Sequence, residues 1–114
     1  MWPPVDELPP GAFDGERLQG RAGLVAVCFH ASWCGFCRSF LPTFAGAERG
    51  GGLAFAEADL TALDDPRWDT LRITVVPTLV LFRDGNPVWR RDAPLGVGLS
   101  ARDLEEMAAF ARGL

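Results

Sequence analysis

Apolar and polar positions divide this chain into blocks of two kinds. Leu24 to Ala31 (LVAVCFHA) is a continuous apolar run rich in Val, the pattern of a strand buried on both faces. Leu53 to Leu60 (LAFAEADL) predicts a second such strand, preceded by a flexible Gly50-Gly51-Gly52. Between them, Cys34 to Glu48 carries Phe40, Leu41, Phe44 and Ala45 at helical spacing, and Pro42 within that segment predicts a kink. Asp64, Asp65 and Pro66 open a short helix through about Leu71, with Pro66 suited to its first turn. Thr78 to Phe82 and Val88 to Arg91 read as two strands joined by a tight turn at Asp84-Gly85-Asn86. Ser100 caps a last helix, with Asp103 three residues on and Leu104, Met107, Ala108 and Ala111 along one face.

The start of the chain is less patterned. Pro3, Pro4, Pro9, Pro10 and Gly11 predict an extended arm over residues 1–11 rather than a core element. Residues 14–22 (DGERLQGRA) are a helix candidate interrupted by Gly. The order strand, helix, strand, helix, hairpin, helix predicts one α/β domain over residues 12–114, a central mixed sheet flanked by helices on both faces.

Composition narrows the function classes. With 114 residues there is room for one compact domain and not two. A net charge of -4 and a pI near 4.8 argue against a nucleic-acid partner. Every basic residue is Arg, which excludes lysine Schiff-base chemistry and a lysine-bearing phosphate loop. No run approaches the ~20 apolar residues that span a bilayer. The opening MWPPVDELPPGAF has neither a basic nor an apolar signal region, so the expected location is cytoplasmic; an extracytoplasmic domain trimmed of its leader reads the same. Three cysteines are too few for a disulfide scaffold.

The chemistry concentrates in Trp33-Cys34-Gly35-Phe36-Cys37, where the first buried strand gives way to a helix. A thiol at a helix N-terminus faces unpaired backbone N–H groups and the positive end of the macrodipole, and both stabilise a thiolate. Two intervening residues put Cys34 and Cys37 within one turn of each other. Cys34 at the lip is the expected nucleophile, and Cys37, one turn in, the resolving thiol.

The segments AVCFHASWCGFCRSFLP and VVPTLVLFRDG together resemble the thioredoxin-like family, over residues ~20–112. In that resemblance Pro42 matches the family's helix proline and Pro77 the proline held in cis against the redox pair. Gly85 matches a hairpin turn, and Gly96 or Gly98 a glycine bordering the substrate groove. It implies a thioredoxin fold and a thiol–disulfide oxidoreductase acting on protein thiol and disulfide substrates. Trp33, Gly35, Phe36, Val76 and Pro77 would bind the substrate segment, Val76 through its backbone. No bound cofactor and no metal is implied, because the cysteines carry the electrons; an external electron donor or acceptor such as a thioredoxin reductase is.

The departures are specific. The family usually carries a buried Asp where Cys28 stands, a Lys near Glu57, Pro at Phe36 and an aromatic at His30. Alternation puts Glu57 on the face of Leu53 and Phe55, and the family's architecture sets that strand beside Cys28. Glu57 is therefore the expected proton acceptor in place of the missing Asp, the plainer alternatives being a solvated edge or an Arg partner. His30 is either a cation beside Cys34 or the filler of the aromatic slot. Two other classes stay open: a metal site from Cys28, His30, Cys34 and Cys37, and a redox-silent binding module on the same scaffold. Asp64, Asp65 and Asp69 read as a solvated loop, and Trp89-Arg90-Arg91 as an edge strand guarded by charge.

Overall fold

A strand apolar on both faces must be covered on both, and the Leu24 run takes the middle of the sheet. The computed structural model describes residues 5–47 and 52–114; Pro3, Pro4, Glu48, Gly50 and Gly51, on which expectations above fell, lie outside them. In chain order the elements are β1 (Asp6–Glu7), a 3₁₀ turn (Pro10–Ala12), β2 (Phe13–Asp14), β3 (Arg17–Leu18), β4 (Leu24–His30) and α1 (Gly35–Ala45). They continue with β5 (Ala54–Asp59), α2 (Arg67–Thr70), β6 (Thr78–Arg83), β7 (Asn86–Asp92) and α3 (Ala101–Arg112). The main sheet has the order β1-β5-β4-β6-β7. β4 lies parallel to β5 and antiparallel to β6, so the sheet is mixed.

Alternation along β4 sorts the core into two layers. Val25, Val27 and Phe29 face one side, with Ala56, Ala58, Leu18 and Leu71. Ala26 and Cys28 face the other, under Phe40 and Phe44 of α1 and Leu104 and Met107 of α3. Phe44 stacks on Phe55 at 4.7 Å. The short α2 and the β2–β3 hairpin cover the first side. This is the expected α/β fold, with helices on both faces of a central mixed sheet.

Two expectations at the start of the chain differ from the structure. Residues 14–22 form no helix; they enter a β2–β3 ribbon that turns through Gly15 at φ +59°. Only glycine takes such angles freely, and its recurrence at 15, 20 and 23 breaks a helix three times in nine residues. Within the expected arm, the described residues are not separate from the core: Asp6 and Glu7 pair with Ala56 and Glu57, Leu8 is buried, and Pro10–Ala12 form a 3₁₀ turn.

Elsewhere the elements sit within a few residues of expectation. α1 ends at Ala45 rather than Glu48, with Gly46 as its cap. Pro42 stands inside it, so the Arg38 carbonyl receives no amide from that position. The β6–β7 turn places Asp84 at φ +50° and Gly85 at +86°, as an I′-type hairpin requires. A Cβ on Gly85 would stand 2.4 Å from the Leu18 carbonyl oxygen, so glycine is needed there on two counts.

Asp65 is not part of a solvated loop. It forms a buried ion pair with Arg67, whose guanidinium donates to both Asp65 oxygens at 3.0 and 2.9 Å and to the carbonyls of Leu8 and Asp59 at 2.8 and 3.0 Å. That fork ties the segment after β1, the end of β5 and α2 together. Arg90 and Arg91 likewise do more than guard the β7 edge: Arg90 donates to the Leu71 and Arg72 carbonyls, and Arg91 holds Asp103 and Glu106 of α3.

Arg67→Ala leaves a buried carboxylate with only a backbone donor and two carbonyls without the guanidinium, and should cost about 3–5 kcal/mol in urea unfolding. Arg67→Lys should recover little of this, because an ammonium cannot reproduce the fork. The hydrogen bonds from Arg67 hold the Asp65 carboxyl below its usual range. The pair's contribution is therefore complete above the ordinary carboxylate pKa and is lost as pH falls through the depressed one. Unfolding of Arg67→Ala and of the wild type should converge at acid pH.

Candidate active site

β4 is rigid and central, and the chain leaves its end through Ala31-Ser32-Trp33 into α1. Cys34 is the residue that caps that helix: its backbone is extended (φ −98°, ψ 114°) and its sulfur accepts the Cys37 backbone N–H at 3.2 Å. One of the helix's orphan amides is thus satisfied by the thiol itself. The Cys34 thiol in turn donates to the Val76 carbonyl at 3.4 Å. Cys34 is 8% exposed and Cys37 is fully enclosed, so the lip expected at Cys34 is a narrow one and the two sulfurs differ in access. Burial, together with its hydrogen bond to Cys34, pushes the Cys37 thiol up to about 12, against smaller lowering by the Ala31 backbone and Arg38.

The Val76–Pro77 bond is cis, and this places Val76 against Cys34. Both side chains are buried, so only the Val76 backbone lies at the site. Trp33 and Phe36 are the exposed aromatics, at 53% and 46%. Trp33 is held by its ring N–H on the Thr61 carbonyl at 3.0 Å and by stacking on Trp68, centroids 6.3 Å apart at 13°. Phe36 packs over Gly98, where a Cβ would meet its ring at 2.8 Å; Gly98, not Gly96, is the glycine beneath this rim. Gly35 lies between the two aromatics with only the Arg38 side chain near its open face. Leu95 and Val97 continue the apolar rim.

Glu57 pairs with Cys28 in register across β4 and β5, on the same side of the sheet. Burial pushes its carboxyl up, with smaller pushes from Glu7 and Asp59, and the charge of His30 opposes them. Its partner is His30, at 3.5 Å, rather than an Arg or open solvent. Cys28 is fully buried and its thiol pushed up by burial first, then by the charges of Cys37, Glu57 and Cys34. The charges of Glu57 and of Cys37 thus both act on the Cys28 thiol.

The four residues considered as a metal set are not drawn together. Cys34 and Cys37 pack with one cluster of core residues and Cys28 with the other, and His30 stands 3.5 Å from Glu57. Among the described residues, the His, Cys, Asp and Glu side chains that gather three ligand atoms within 4.8 Å of one another are Glu7, His30 and Glu57.

The sequence pattern missed Trp68, Thr61 and Glu7. Trp68 alone carried a signal, a large aromatic in a four-residue helix that is otherwise polar. Thr61 receives the Ser32 N–H at 2.8 Å and is itself fixed by Asp59, which sets the turn before Cys34.

Comparison with known proteins agrees with this geometry. The thioredoxin family model matches residues 5–107. A thioredoxin of Aspergillus fumigatus is 34% identical over 87 residues, 75% of this chain and 76% of that protein. The thioredoxin of Mycolicibacterium smegmatis is 32% identical over 90 residues, 76% and 80% of the two chains. The crystal structure of spinach chloroplast thioredoxin f (short form) shares the fold, with a TM-score of 0.75 over 95% of this chain and 93% of that one at 23% identity. With its mixed sheet, its cis proline and Cys34 and Cys37 side by side where a buried strand meets its helix, the chain belongs to the thioredoxin family of oxidoreductases.

Proposed function

We propose that the protein exchanges disulfides with protein substrates through Cys34 as nucleophile and Cys37 as resolving thiol. The observation that carries this is the asymmetry of the pair: Cys34 caps the helix and reaches the surface, while Cys37 is enclosed with its thiol pushed up to about 12. In the reducing direction the Cys34 thiolate attacks a substrate sulfur. The substrate S–S bond breaks, a mixed disulfide forms and the other substrate sulfur leaves as thiolate. Cys37 then loses its proton and attacks Cys34, forming the Cys34–Cys37 disulfide and releasing the second substrate thiolate. Two electrons have passed to the substrate, and an external donor such as a thioredoxin reductase returns them; the reverse sequence oxidises.

Trp33, Gly35 and Phe36 form the exposed apolar side of the substrate site, and the Val76 backbone beside buried Pro77 its polar side. An extended segment carrying the target sulfur would add to the Val76 backbone as a strand does. Glu57 serves as proton acceptor for Cys37, reached through the Cys28 position. Its partial burial and raised pKa support that role.

In the reduced protein an alkylating probe should label Cys34 well before Cys37, read by peptide mass spectrometry; the opposite order would reverse the roles. Cys34→Ser should abolish reduction of an insulin-type disulfide by dithiothreitol. Cys37→Ser should stall at the mixed disulfide, and Cys28→Ala should keep most activity, since a buried thiol there acts as a small apolar group. Loss of activity in Cys28→Ala equal to that in Cys34→Ser would make Cys28 a redox partner.

A second outcome concerns pH. Resolution needs the Cys37 thiolate, so its rate should rise with pH, and Glu57→Gln should slow it most where Glu57 is otherwise ionised and Cys37 is not. Equal rates and equal pH profiles in the two proteins would remove Glu57 from the mechanism.

A further inference from the structure

The Nε2 atom of His30 is buried and has no hydrogen-bond partner among the described residues. A buried polar nitrogen left unpaired is costly enough to need a reason. The atom stands 3.5 Å from Glu57 Oε1, at ion-pair distance but with no hydrogen bond between them. The register of three strands explains why. Glu7 of β1 pairs with Glu57 of β5, Glu57 with Cys28 of β4, and Asp59 with His30, so all five side chains project from one side of the sheet at its β1 edge. Three of them are carboxylates, and His30 is the one basic group among the five. Glu7 is fixed in place, accepting the Asp59 backbone N–H at 3.0 Å. Asp59 is bound up with Thr61, which holds its carboxyl below the usual range.

We propose that His30 is a positioning residue for the disulfide chemistry: it faces Glu57 as a cation and keeps that carboxylate ionised, ready to accept the proton that Cys37 gives up. The inference rests on the assignment of Glu57 as acceptor made above. Partial burial favours the neutral form of Glu57, and the charges of Glu7 and Asp59 push the same way. A carboxyl that already holds its proton cannot take another. Of the charges that act on Glu57, His30 alone favours the ionised form. Once Glu57 has taken the proton, the His30–Glu57 pair carries a net positive charge beside Cys28. Loss of one proton from the pair to solvent then restores the starting state.

The signs of the effects separate this role from simple packing. Removing the cation should move the titration of Glu57 to higher pH, and removing the like charge of Glu7 should move it to lower pH. The experiment is a carbon-13 NMR titration of the Glu57 carboxyl in the full chain, oxidised so that Cys34 and Cys37 do not titrate. It compares wild type, His30→Gln and Glu7→Gln, and is paired with the pH profile of mixed-disulfide resolution in the reduced proteins. We expect an upward shift in His30→Gln and a downward shift in Glu7→Gln. Resolution in His30→Gln should be several-fold slower at mildly acid pH and equal to wild type at alkaline pH, with recovery in His30→Lys. An unchanged Glu57 midpoint in His30→Gln, or shifts of the same sign in both variants, overturns the role of His30 whatever the rates show. A Glu57→Gln protein with the wild-type pH profile overturns the acceptor assignment itself, so the two failures are separately visible.

Discussion

The contact on which the site depends is the one between the Cys34 sulfur and the Cys37 backbone N–H. It makes a thiol the cap of the helix. A sulfur in that position sits where the orphan amides of α1 converge, and the same geometry places the second cysteine one turn inside. The rest of the fold can be read as what this cap requires. β4 is buried on both faces so that its exit is rigid, Thr61 and Asp59 fix the turn before the cap, and the Val76 carbonyl holds the thiol from the opposite side. The buried Arg67 binds the Leu8 and Asp59 carbonyls and so ties the end of β5 to the segment after β1.

The second constraint is electrostatic and belongs to this chain in particular. Where the family usually keeps an acid directly beneath the cysteines, this protein has an uncharged thiol, Cys28, and its ionisable groups stand one strand further out. Glu57, Glu7 and Asp59 meet His30 at the β1 edge, half open to water. The chain thus separates two tasks. The space under α1 is filled by packing, with Cys28 among Phe40, Phe44 and Leu79, and charge is handled at the rim.

The parts legible in the sequence were those written in short-range periodicity. The apolar run at Leu24, the Asp84-Gly85 turn and the Ser100–Asp103 cap each appear within a residue or two of expectation, because local sterics and alternation decide them. The cysteine turn was legible for the same reason, as a break between two periods. What failed was decided at long range. The β2–β3 ribbon exists because Leu18 donates to the Gly85 carbonyl 67 positions away, and no local pattern announces such a bond. Asp65 looked solvated because its neighbours in sequence are polar, yet Arg67 folds it under Leu8. His30 is read as a cation beside Cys34 or the filler of an aromatic slot, and the partner it finds is Glu57 on the neighbouring strand.

The central claim is that two electrons enter and leave this protein at Cys34 and Cys37 alone. A redox titration in glutathione buffers, quenched with an alkylating probe and mapped by peptide mass spectrometry, tests it directly. The account predicts one transition with the slope of a two-electron couple, a Cys34–Cys37 disulfide on the oxidised side, and Cys28 reduced throughout. A disulfide that includes Cys28, or a pair that remains reduced across the whole range, would contradict it.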